Sequence, residues 1–87
     1  MKIKEGFVLR EVAGSYLVVA VGKAVKSFNG IINLNETGAF LWKQLEKGCD
    51  LNGLKMALLS EYDVEERIAE RDAKIFLDKV TEAGLVE

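Results

Sequence analysis

The sequence contains no histidine, no proline and one cysteine, Cys49. Without histidine, the commonest general base and metal ligand is missing. A single cysteine excludes an intrachain disulfide and any cysteine-based zinc cluster. A lone thiol with no visible secretion signal fits a reducing, cytoplasmic setting. No apolar run approaches the roughly 18 residues of a transmembrane helix. The opening stretch, MKIKEGFVLREVAG, carries acids and an Arg where a signal peptide would be apolar. Neither sign of charge dominates: 12 basic and 14 acidic residues leave a net charge of −2. That balance does not attract phosphate backbones, so nucleic acid and membrane are not expected partners.

What remains is 87 residues, 49% of them hydrophobic, with a mean hydropathy of +0.10. Residues 1–87 form one domain, too apolar for disorder. Its core is modest, and a deep substrate cavity would take residues that core needs. No nucleophile with its base, phosphate loop or ligand cluster is visible, so neither an enzyme nor a cofactor is expected.

The first third reads as strands. Phe7 to Val12 is β-prone, and Ala13-Gly14-Ser15 follows as a turn. Tyr16 to Val21 is nearly continuous in apolar and β-branched residues, as a middle strand would be. Gly22-Lys23 interrupts the run, and Ala24 to Phe28 resumes an extended pattern. Asn29-Gly30 suits a type I′ hairpin, whose two turn positions need positive φ. Ile31 to Leu34 is then the returning third strand, at an edge of a three-stranded antiparallel sheet.

The rest reads as three helices. Asn35 caps the first and Gly48 stops it. Asp50 caps the second, and Gly53 weakens its first turn by about 1 kcal/mol. Asp63 opens the third, with Glu66 completing a capping box, and Gly84 ends it. Leu85 and Val86 can fold back onto the core. Trp42 belongs in that core with its N–H on a carbonyl. Cys49 stands before a helix start, where a thiol's pKa is lowered.

The last helix is the most informative. Ile68, Ala69, Ala73, Phe76, Leu77 and Val80 cover about half its circumference, and Ile75 widens the sector with Asp72 and Lys79 alongside. One reading wedges this helix between the sheet and two other helices. The other makes its Ile75 margin the wall of a groove beside the edge strand.

From Leu34 the chain reads LNETGAFLW, then KQLEKG; SEYDV, DAKIFLDKV and TEAGLVE follow. This ordered series resembles the coenzyme PQQ synthesis protein D family, also called the RiPP recognition element. Leu34, Asn35, Glu36, Thr37, Trp42, Gly48, Tyr62, Asp63, Asp72, Phe76, Leu77, Gly84 and Leu85 match its pattern over about residues 5 to 87. The departures are Asn52-Gly53, in place of acidic helix formers, and Val80, in place of Leu.

The resemblance implies an α+β, winged helix-turn-helix-like domain with a three-stranded antiparallel sheet followed by three α-helices. It also implies a non-catalytic function. Such proteins bind the leader segment of a ribosomally made precursor peptide and deliver it to a maturation enzyme, often a radical SAM protein. The peptide adds as a strand to the third strand, against the last helix. Carried over by position, the binding face comprises Phe28, Gly30, Ile31, Ile32, Asn33 and Leu34. On the helix it comprises Arg71, Asp72, Ile75 and Lys79. Strand alternation puts Ile32 and Leu34 on one side and Ile31 and Asn33 on the other.

Plainer readings accompany these. The Ile31 edge can be covered by a homodimer partner or by the chain's own start. Asp72 can hold only a backbone N–H or a Lys. A winged-helix DNA-binding regulator shares the fold type. From Asp63 to Glu82, however, seven acids face four bases, which suits DNA poorly.

Overall fold

The computed structural model describes residues 1–28 and 30–87, with Ser27 described by its backbone alone. Strand β1 (Phe7–Val12) turns at Ala13-Gly14 into β2 (Ser15–Ala20), pairing Phe7 with Ala20 and Val12 with Ser15. A helical turn, α1 (Ala24–Ser27), precedes the short strand β3 (Ile32–Leu34). Three helices complete the chain: α2 (Glu36–Lys47), α3 (Leu51–Glu61) and α4 (Glu66–Glu82).

The antiparallel sheet has the order β1-β2-β3, so β3 lies at an edge as expected. The middle strand is its partner, as expected, but the paired segment differs. β3 pairs with the first half of β2, Tyr16 with Leu34 and Val18 with Ile32. A hairpin at Asn29-Gly30 would instead pair β3 with Ala24–Phe28, of which the structure coils Ala24–Ser27 into α1. Gly30 has a positive φ of 144°, while Asn29 lies outside the described residues. Ile31 precedes the strand and is exposed.

Register decides what the sheet buries. Leu9, Val18 and Ile32 stand side by side, as do Tyr16 and Leu34, and all join the core. Arg10, Leu17 and Asn33 share the opposite face. Onto the first face pack Trp42 and Leu45 of α2, Leu54 and Leu58 of α3, and Ala69, Ala73, Phe76 and Val80 of α4. Full burial of a large apolar side chain stabilises by roughly 1.5–3 kcal/mol. The small Ala69 and Ala73 let α4 approach its neighbours closely.

Local signals set most helix ends. The Asn35 side chain accepts from Gly38 N at 2.7 Å, and that of Asp50 from Gly53 N at 2.8 Å. The start of α4 departs from expectation. Its N-cap is Glu65 with no side-chain bond, and Asp63 lies outside the helix. At the other end Gly84 N donates to Thr81 O and Leu85 N to Val80 O, the paired bonds of a Schellman turn. Gly84 takes the left-handed conformation this turn needs, with φ of 76°.

That turn sends Leu85 back into the core, where it is fully buried. It also aligns the tail with the chain's start. Lys4 N donates to Leu85 O, Glu87 N to Lys2 O, and Ile3 bridges Val86. The first residues therefore clasp the tail and do not cover β3. Trp42 is fully buried, but its indole Nε1 has no hydrogen-bond partner among the described residues, contrary to the expected carbonyl contact.

Candidate functional site

Between the end of β3, the start of α2 and one flank of α4 runs a groove of about 240 Å³. Leu34, Asn35, Thr37, Gly38 and Leu41 line one side, and Asp72, Ile75, Phe76 and Lys79 the other. The α4 residues recur at helical spacing, so one stripe carries an acid, an apolar patch and a cation in turn. The floor is apolar because Leu34, Leu41 and Phe76 belong to the core. Ile75 is 60% exposed, so it contributes little to the core and stands as the groove's wall.

The edge of β3 borders this groove. None of its main-chain groups pairs with the backbone of a further element among the described residues. One side chain reaches it: Lys79 Nζ donates to the Asn33 carbonyl at 3.1 Å. An unpaired edge is a template for another strand.

Of the residues expected at a binding face, the structure gathers Leu34, Asp72, Ile75 and Lys79 in the groove, with Asn33 joined to it through its carbonyl. Ile31 stands 59% exposed just before β3, and Gly30 is exposed beside it. Ile32 is half-buried against the core. Phe28 is not at the groove. It packs edge-to-face on Phe7, with ring centroids 5.4 Å apart, and joins the core. Arg71 does not line the groove either; its Nε donates to Asp72 Oδ1 at 3.3 Å, which positions that carboxylate.

Asn35, Thr37, Gly38, Leu41 and Phe76 were missed as groove residues. Three belong to the LNETG stretch and read first as cap and helix start, which they also are. Their second role depends on α4, far along the chain. Cys49, by contrast, is no activated thiol. Burial and the neighbouring Asp50 raise its pKa, outweighing the chain's amino terminus, and its Sγ donates to Gln44 O at 3.7 Å. Among the described residues, no group of three or more His, Cys, Asp or Glu converges on one point. No helix of the described residues is long and apolar enough to cross a membrane.

Fold and groove together define a small α+β domain with one sheet edge open beside its last helix. The chain belongs to the family of coenzyme PQQ synthesis protein D (PqqD), whose model matches residues 7–86. The solved structure of TbiB1 in complex with the TbiA(beta) leader peptide shares the fold, with a TM-score of 0.77 at 24% identity, covering 100% of this chain and 95% of that one. A lasso peptide synthetase B1 complexed with the leader peptide aligns with a TM-score of 0.75 at 22% identity, covering 99% and 95%. No curated protein matches the chain.

Proposed function

We propose that this domain binds the leader segment of a ribosomally made precursor peptide, without catalysing a reaction on it. The peptide adds as a strand to β3, and its side chains settle in the groove against α4. The observation that carries this reading is the open edge of β3 lying directly beside an apolar-floored groove. Family membership and two structural neighbours that are themselves leader-peptide complexes support it. The binding face comprises Gly30, Ile31, Asn33 and Leu34 with Asp72, Ile75 and Lys79. Delivery goes to a maturation enzyme, of radical SAM type in the family pattern, in the reducing cytosol.

The energetics suffice. Each ladder hydrogen bond contributes a net of about 1 kcal/mol. Each apolar leader side chain that is fully buried adds about 1.5–3 kcal/mol. After the peptide's ordering cost, a micromolar affinity, on the order of −8 kcal/mol, is within reach.

The test is a titration of isotope-labelled protein with precursor peptides encoded near its gene. Amides of residues 30–34 and 71–79 are expected to shift. Shifts confined to α3 or the β1–β2 turn would overturn the assignment. Geometry also selects a variant. A strand residue points its N–H and C=O to the same side. Asn33 offers its carbonyl to Lys79, and Ile31, two residues earlier and just outside the β2 ladder, would direct its N–H to that same side once an added strand extends β3 by one residue. Ile31→Pro removes that donor without touching the β2 ladder. It is expected to weaken peptide binding about fivefold, the worth of one ladder bond, with melting temperature unchanged.

A further inference from the structure

Lys79 reaches from α4 to the Asn33 carbonyl, joining residues 46 apart in sequence. That carbonyl is an acceptor an added strand would use. An incoming N–H must therefore share it with the ammonium or displace it. Once displaced, the exposed ammonium goes either to water or to a new acceptor. Asp72, the one acid among the described groove residues, lies two helical turns from Lys79 and already pairs with Arg71 at 3.3 Å. The remaining groove wall near Lys79 is apolar, formed by Ile75 and Phe76.

We propose, resting on the peptide-binding reading, that Lys79 is both latch and selector for the edge of β3. In the free protein it holds the Asn33 carbonyl. In the complex it passes to a carboxylate on the docked strand. The site therefore selects extended peptides that carry Asp or Glu opposite Lys79 and an apolar side chain two residues away, over Ile75 and Phe76. The spacing follows from the two geometries. Ile75 and Lys79 lie one helical turn apart, about 6 Å along the axis. Side chains two residues apart on one face of a strand lie about 6.6 Å apart. Acid and apolar residues at that interval meet Lys79 and Ile75 together, whereas adjacent residues point to opposite faces.

The test uses a display library of random twelve-residue peptides, selected in parallel on the wild-type protein and on Lys79→Met and Lys79→Glu. Wild-type binders are expected to be enriched in an acid two residues from an aliphatic or aromatic residue. The acid should disappear from the Lys79→Met pool and give way to Lys or Arg in the Lys79→Glu pool. One wild-type binder is then synthesised with its acid and with the matching amide. On the wild type the amide form should bind up to about fivefold more weakly, as an exposed ion pair allows. On Lys79→Met the two forms should bind alike, and the amide form should bind at least as tightly as to the wild type, because Asn33 is now free.

An amide penalty equal on both proteins would overturn the selector, and an amide peptide that binds Lys79→Met more weakly than wild type would overturn the latch. Failure of the underlying reading looks different. In that case no pool yields a binder, or the binders leave the amides of residues 30–34 and 71–79 unmoved. Lys79 is exposed at the surface, and matching thermal melts confirm that the variants fold.

Discussion

At the scale of single residues, Cys49 and Gly53 show how a neighbour reverses a local rule. A thiol beside a helix start has its pKa lowered when the helix field dominates. Here partial burial acts first and the Asp50 carboxylate second, and both favour the protonated thiol. Native protein is expected to alkylate with iodoacetamide along a pH profile whose midpoint lies above that of the same thiol in urea. A native midpoint at or below the unfolded one would refute this. The linkage has a definite sign. A pKa raised by folding gives a stability contribution that is complete at neutral pH. It is lost as pH climbs above the thiol's ordinary value. Gly53 sits inside the first turn of α3, where glycine costs about 1 kcal/mol relative to alanine. A Cβ there would meet Cys49 Cβ at 2.9 Å. The glycine therefore makes room for the residue before the cap, a reason the sequence does not display.

At the scale of elements, the C-terminal turn of α4 carries more than its length suggests. It brings Leu85 into the core and sets the tail against Lys2–Lys4. Gly84 has open space where a Cβ would go, so Gly84→Ala isolates backbone strain at φ of 76°. An alanine in that region costs about 1 kcal/mol. In a domain this small, that lowers the melting temperature by about 4–8 °C, measurable by calorimetry. An unchanged melt would mean the tail docks without the left-handed turn. This turn was legible because its signal, a glycine after a periodic apolar helix, is local. So were β1, β2, α2 and α3, each marked by its own run and caps. α1 was not, since a four-residue turn is too short to show a helical period. Nor was the stretch of the middle strand that β3 meets, because Asn29-Gly30 carries a strong hairpin signal while the paired segment, Tyr16–Val18, lies far back in the chain. The start of α4 lies at Glu65 rather than Asp63, at a residue that makes no side-chain cap bond, so no local capping signal marked it. The candidate site divides in the same way. Ile75 announced itself as an apolar residue outside the buried stripe, whereas the Lys79–Asn33 contact needed the folded chain.

At the scale of the whole molecule, β3 is one edge with more than one claimant. DNA is the weakest of them. The residues of α4 from Glu66 to Glu82 comprise five acids and four bases, so this helix offers no field for a duplex. A second copy is the more serious competitor, because an edge that accepts a peptide also accepts itself. Symmetric antiparallel pairing of β3 around Asn33 would bring the two copies of Lys79 to the same seam. Like charges there oppose the pairing, and salt relieves them within a Debye length of about 8 Å at physiological strength. Self-pairing should therefore be weakest at low salt, where the proposed contact of Lys79 with a leader carboxylate would be strongest, so ionic strength separates the two partners. Sedimentation velocity at low salt is expected to show one chain per particle. Saturating leader peptide should add one peptide per chain, and raising the salt should weaken the complex without restoring a dimer while peptide is bound. A dimer that persists at full peptide occupancy would place either the self-association or the peptide away from β3. Ile31→Pro, which removes a donor both partners would use, distinguishes those cases by whether it loosens the dimer, the complex or both.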